Sequence, residues 1–105
     1  MNYNIKSATV INVCEVDDLA QWMENPDNVY IASPNFQLCN PYRVGVDGDR
    51  DQVIDRYKWW VADRIASSPA TYVPLLRSLK GKTLGCRCHP LPCHGDVLVD
   101  LINQF

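Results

Sequence analysis

Hydrophobic positions change their spacing several times along the chain, and each change marks an expected element. Ala8-Thr9-Val10-Ile11-Asn12-Val13 is short, apolar and β-branched, which suits a buried strand. From Asp17, a good helix N-cap, Leu19, Ala20 and Met23 can share a face until Asn25-Pro26-Asp27 stops the helix. Val29-Tyr30-Ile31-Ala32 is the next strand-like run. Val53, Ile54, Tyr57, Trp60, Val61 and Ile65 then recur at helical spacing, with Asp51, Arg56, Lys58 and Asp63 mainly off the stripe. Asp49 followed three places later by Gln52 resembles a capping box at the start of this helix, and Trp59 is left as its exposed aromatic. After Ser67-Ser68-Pro69, a further stripe of Tyr72, Leu75, Leu76 and Leu79 ends at Gly81, a suitable C-terminal cap. Thr83-Leu84-Gly85-Cys86-Arg87-Cys88 reads as a third strand, and Val97, Leu98, Leu101, Ile102 and Phe105 give a terminal helix its buried face.

Strands alternating with helices predict an α/β fold: a small Rossmann-like domain with a short, mostly parallel sheet flanked by helices. The 105 residues, 47% of them hydrophobic, suffice for one domain with one core across residues 1–105. Residues 33 to 49 carry Ser33-Pro34-Asn35, Asn40-Pro41-Tyr42 and Gly45-Val46-Asp47-Gly48-Asp49, all turn-forming. A loop of this length is uncommon in a compact domain and tends to be functional or mobile.

Ten Lys and Arg against twelve Asp and Glu give a net charge of −2, so no strong nonspecific binding to nucleic acid is expected. Met1-Asn2-Tyr3-Asn4-Ile5-Lys6 does not lead into an apolar stretch, and no window approaches a membrane span, so a cytoplasmic protein without a membrane partner is expected. Five cysteines cannot all pair, and in a reducing compartment they read as free thiols or a metal site.

The chemistry concentrates in Cys86-Arg87-Cys88-His89-Pro90-Leu91-Pro92-Cys93-His94. This run follows a strand and opens a helix, the place where open α/β sheets bind ligands. Residues two apart on a strand face one side, so Cys86 and Cys88 are expected to present both sulfurs to one space. Cys93, His94 and Asp96 fall in the first turn of the last helix, where unpaired backbone N–H groups favour a thiolate on Cys93. His94 then acts as acid or base, oriented by Asp96, which makes these three the candidate catalytic set. On this reading Cys93 is the most reactive thiol and Cys14, near a buried strand end, is far less so. The same side chains are zinc ligands, but Cys-x-Cys-x4-Cys-His is not a common zinc spacing, and a zinc site would have to recruit Cys39. A third alternative makes Cys86 and Cys88 small core residues and His94 a helix cap. No metal ligand set and no cofactor is assigned.

The long loop supplies the other half of a pocket. Asn40, Tyr42 and Arg43 offer an amide, an aromatic face and a guanidinium, suited to a nucleobase or a phosphate-bearing ligand, although Asn40 alone also suits a surface turn. With Cys86 and Cys88 they form the candidate ligand-binding set.

Several motifs in fixed order carry a resemblance to a known family. Asn40-Pro41-Tyr42, Gly45 to Arg50, Tyr57 and Trp60, Leu79 to Leu84, Cys86-Arg87-Cys88, and Cys93-His94-Gly95-Asp96-Val97-Leu98 together resemble domain-of-unknown-function family 4326 over roughly residues 29 to 102. That family occurs in bacteria and bacteriophages, which implies a cytoplasmic protein made in an infected host cell, and it brings no settled activity. Its pattern has Gly-Arg after the strand where this chain has Ala32-Ser33, so Arg43 or Arg50 would have to replace that arginine. The Cys-His pair opening the last helix is also locally similar to domain-of-unknown-function family 488.

The leading functional expectation is a small phage-encoded enzyme or ligand binder acting on a nucleotide or nucleoside through the Cys/His site. The alternative is an interaction protein for host takeover or anti-defence that binds a host protein, its Cys/His loop structural or zinc-stabilised.

Overall fold

A computed structural model describes residues 7–104. Strand β1 (Thr9–Asn12) runs into a 3-10 turn at Val13–Glu15, followed by helix α1 (Leu19–Glu24) and strand β2 (Asn28–Tyr30). Helices α2 (Arg50–Ser67) and α3 (Pro69–Ser78), strand β3 (Thr83–Cys86) and helix α4 (His94–Asn103) complete the order. The three strands form one parallel sheet in the order β1-β3-β2, with Thr83 opposite both Thr9 and Asn28. The α/β class and the short parallel sheet are therefore those expected, and the strand arrangement is compatible with a Rossmann-like domain. Phe105, assigned above to the last helix face, lies outside the described residues.

The central strand sets the layers. Side chains alternate across β3, so Leu84 and Cys86 enter the helical face, where Tyr57 of α2, Leu76 of α3 and Leu98 and Ile102 of α4 form the core. Gly85 points to the opposite face, where a Cβ would come within 2.5 Å of Val13 Cγ1 and 2.6 Å of the Trp22 ring. A glycine is needed there because Trp22 lies against the strand itself. This corrects the expected face of α1: Trp22 meets the sheet, Leu19 is half-buried, and Ala20 and Met23 are exposed, Met23 at 49%. The helix is also capped by Asp18, whose carboxylate accepts the Gln21 N–H at 3.1 Å, rather than by Asp17.

The capping box of α2 forms as expected, with Asp49 accepting the Gln52 N–H at 2.8 Å and Gln52 accepting the Asp49 N–H at 2.9 Å. Tyr57, fully buried, donates its hydroxyl to the Leu38 carbonyl and stacks on Trp60, so one α2 side chain anchors the long loop. Trp59 is 71% exposed on the outer side of the same helix. Helix α3 is capped by Leu79, while Gly81, at φ +73°, makes the following turn rather than the cap itself.

Gly85→Ala is expected to destabilise the fold by about 1–3 kcal/mol, the usual cost of forcing atoms into a packed site. Urea unfolding should show a lower midpoint with an unchanged slope; a midpoint equal to that of the parent would mean that Trp22 does not press on the sheet.

Candidate functional site

The sheet ends at Cys86, and this changes the geometry of the cysteine loop. The alternation of a strand does not continue to Cys88: the chain turns after Cys86, leaving that side chain fully buried in the core while Cys88 reaches a surface cleft. Residues 87 to 92 are anchored at the far edge of the sheet by Asn12, whose Nδ2 donates to the His89 carbonyl at 2.8 Å. Asn12 also caps the 3-10 turn by accepting the Cys14 N–H at 2.8 Å. Nothing in the sequence pattern singled out Asn12; its signal is a polar residue inside an otherwise apolar run.

The cleft has a volume of about 190 Å³ and opens beyond the carboxyl ends of β2 and β3. Ala32 and Ser33 border it after β2, Cys39, Asn40, Tyr42 and Val44 come from the long loop, and Arg50, Val53 and Ile54 from the first turns of α2. Cys88, Pro92, Cys93 and His94 close the opposite side. Five of the eight predicted site residues therefore border one space: Asn40, Tyr42, Cys88, Cys93 and His94. Cys86 lies behind Cys93, outside the lining. Arg43 lines a neighbouring depression with Phe36, Pro41 and Trp60, and its backbone N–H is held by the Asp47 carboxylate at 2.8 Å. Arg50 is the guanidinium that lines the cleft; its Nη1 donates to the Pro92 carbonyl at 3.2 Å, tying α2 to the cysteine loop.

Asn40 is occupied by structural bonds. Its Oδ1 accepts the Tyr42 N–H at 2.9 Å and its Nδ2 donates to the Val53 carbonyl at 3.2 Å, so it folds the loop onto α2. The Tyr42 ring, with the Arg56 guanidinium 5.8 Å from its centre, is held on the same side.

Asp96 does not serve as the expected orienter of His94. Its carboxylate accepts the Cys93 N–H at 3.1 Å, as the distal member of a capping box. His94 is instead oriented by the Ile31 carbonyl, 2.8 Å from Nε2; a carbonyl only accepts, so Nε2 carries the proton and Nδ1 is the acceptor of the neutral ring. Edge-on packing against Tyr57, with ring centres 5.1 Å apart, fixes the imidazole plane. Burial lowers the His94 pKa below its ordinary 6.5, opposed by the Ile31 hydrogen bond and the Asp96 charge.

Cys93 caps α4 at 3% exposure, with its Sγ 3.4 Å from Cys86 Sγ. The Cys93 thiol donates to Cys86, lowering the Cys86 pKa to about 6 against the opposing cost of burial. The backbone N–H groups of Cys88 and His89, the latter at 3.3 Å from Cys86 Sγ, add to the stabilisation. Cys93, which retains the shared proton, has its pKa raised above the ordinary thiol range by that hydrogen bond and by burial. The two shifts run in opposite directions, favouring charge on Cys86 over Cys93, with the Cys93 thiol as the leading donor and the backbone N–H groups after β3 adding to it. Cys14 is also corrected, being exposed with its sulfur 4.0 Å from Arg87 Nη1. Cys39 lines the cleft with its thiol pKa raised by burial. Among the described residues, no three His, Cys, Asp or Glu side chains are grouped so as to hold a metal ion.

Two outcomes follow for measurement. Brief alkylation of the folded protein is expected to label Cys14 first and Cys86 and Cys93 last, with the order lost in denaturant; peptide mapping reads it directly. The pH dependence has a defined sign. Below 6.5 the unfolded chain protonates His94 more readily than the folded one, and between about 6 and 9.0 the folded chain alone holds the Cys86 thiolate, so stability rises with pH across both windows. Above 9.0 the unfolded chain ionises Cys93 while the folded chain keeps it protonated, so stability then falls. Denaturation midpoints against pH should trace this curve, and His94→Gln should flatten the part below 6.5.

Among the described residues, no helix is long and apolar enough to cross a membrane. No solved structure matches the chain significantly. The chain is similar to a protein of Enterobacteria phage T4, described as an uncharacterized 12.4 kDa protein in the nrdA-td intergenic region. The two are 40% identical over 63 residues, 59% of this chain and 57% of that protein, so the match spans little more than half the length of the relative. The model of the domain of unknown function DUF4326 matches residues 15–104, which takes in the cleft, both of its helix N-termini and the whole cysteine loop. The chain belongs to the DUF4326 family.

Proposed function

We propose that the chain binds a small anionic ligand of the nucleotide class in the cleft beside Cys93 and His94, and acts on it there. The carrying observation is the convergence of Arg50 with the N-termini of α2 and α4 on one cleft. Each helix start directs a partial positive charge outward, partly answered by the capping carboxylates of Asp49 and Asp96, and Arg50 adds a full charge with further donors in its planar fork. The combination favours phosphate. Tyr42 contributes an aromatic wall and Val53 and Ile54 an apolar one, which suits a flat base. The volume of about 190 Å³ fits one compact ligand better than an extended dinucleotide.

Neutral His94 offers Nδ1 as an acceptor toward a ligand hydroxyl or amine, while Cys93 supplies a thiol whose proton has an acceptor in Cys86 3.4 Å away. Similarity to a phage T4 protein supports an infected host cell as the setting.

A second reading rests on Phe36, 76% exposed beside the cleft, and on exposed Trp59: apolar side chains of this size suit the anchoring of a host protein. The two separate by titration. Nucleoside monophosphates, free nucleosides and inorganic phosphate should be compared by NMR with the folded protein, and the monophosphates are expected to perturb Ala32, Tyr42 and Arg50. Arg50→Ala should weaken that binding at least about tenfold, since hydrogen bonds to a charged group contribute about 1.5–3 kcal/mol. Absence of any perturbation at millimolar nucleotide would sink the ligand reading and favour the host-protein one.

A further inference from the structure

Most of the molecule's unusual features are accounted for by packing or by the cleft. The contact between two thiols beneath it is not. A core needs apolar volume at these positions, which one cysteine or an alanine would supply; two sulfurs in contact, surrounded by backbone donors, form a chemical group in their own right.

We propose that Cys86 and Cys93 are a redox-active dithiol that a small-molecule disulfide oxidises, through Cys93, to an internal disulfide.

Three observations converge. The Sγ atoms are already 3.4 Å apart, and bond formation at about 2.05 Å requires an approach of only about 1.4 Å. Both residues stand at element ends, Cys86 closing β3 and Cys93 capping α4, where the adjoining loop can absorb the shift. Access is asymmetric: Cys93 borders the cleft while Cys86 is sealed behind it, so an incoming disulfide meets one sulfur and the other resolves.

The chemistry balances without a metal or cofactor. The Cys93 proton passes along the existing hydrogen bond to the Cys86 thiolate, and Cys93 Sγ attacks a sulfur of the small disulfide R–S–S–R. That S–S bond breaks, a Cys93–S–S–R bond forms, and RS⁻ leaves and is protonated. Cys86 then loses its proton and attacks Cys93 Sγ, expelling the second RS⁻, which is also protonated. Two protein thiols are oxidised to one disulfide and one small disulfide is reduced to two thiols. The Cys86 sulfur serves first as the proton acceptor and then as the resolving nucleophile, both roles resting on its 3.4 Å contact with Cys93 Sγ. Such disulfides in reducing compartments are transient and are used for catalysis or sensing rather than for stability. Here the immediate consequence would be local: the bond removes the thiol from the cleft and leaves the rest of its lining in place. This inference does not depend on which ligand the cleft holds.

The test uses the whole folded chain, equilibrated in buffers of oxidised and reduced glutathione and, separately, of bis(2-hydroxyethyl) disulfide with its thiol. Quenched samples are examined by intact mass and peptide mapping, with circular dichroism confirming that the fold persists. The expected result is the loss of two hydrogens, mapped to a Cys86–Cys93 bond and reversed by dithiothreitol. Cys86→Ser should convert this product into a lasting mixed disulfide on Cys93. The proposal is overturned if Cys86 and Cys93 stay reduced in both buffers while Cys14 is modified, if the bond joins Cys88 to Cys93, or if it forms only after unfolding. The measurement on the parent chain decides the matter even if the variant does not fold.

Discussion

The seating of Cys93 on Cys86 is the junction on which the site depends. It brings the start of α4 against the end of the central strand, and four further bonds are arranged around it. His89 N–H meets Cys86 Sγ, Asp96 accepts the Cys93 N–H, His94 reaches the Ile31 carbonyl, and Asn12 holds the His89 carbonyl. Each ties a different segment to the same point, so the floor of the cleft is shared between β1, the end of β2, β3 and α4. A thiol pair suits this position because sulfur is small and polarisable enough for a core, yet still accepts weak hydrogen bonds from the turning backbone.

The rest of the cleft follows from the parallel sheet. Parallel strands must return by crossovers, so the chain leaves each strand at the same edge and gathers its loops there. In this small sheet the gathering is tightened by Arg50, which bonds the Pro92 carbonyl, and by Asn40, which bonds the Val53 carbonyl. Arg50 and the starts of α2 and α4, with the Asp49 and Asp96 carboxylates that cap them, consequently meet at one side of a molecule whose net charge is −2. The global charge argues against unspecific attraction to polyanions.

Local signals in the sequence were strong where one physical term dominates. The α2 stripe and its Asp49/Gln52 box were legible because helical period and capping act within a few residues. The importance of the cysteine run and of the long loop could also be read, since both occupy the edge where a parallel sheet gathers its connections. Side-chain roles within the site were harder to read. Asp96 looked like a partner for His94, but its position three residues after Cys93 gives the backbone N–H of that residue first claim on it. Helix α1 was assigned the wrong face because its six residues are too few to carry a reliable stripe, and a single contact, Trp22 on Gly85, decides its orientation. The thiol shifts were unreadable for a related reason: the helix N-terminus was visible in the sequence, whereas the Cys93 thiol and the backbone N–H groups meet Cys86 only once the chain has turned.

That last difference separates two duties which the sequence had placed on one residue. Cys93 is the sulfur that borders the cleft, and its pKa is raised; Cys86 is sealed from solvent, and its pKa is lowered by the Cys93 thiol and the backbone donors beside it. An exposed thiolate on Cys93 would meet every electrophile that entered. A neutral thiol in contact with a buried thiolate is quieter at rest, because its proton must first move to its neighbour before the outer sulfur becomes a strong nucleophile. The same 3.4 Å contact thus restrains Cys93 in the resting fold and provides the route by which it can be activated.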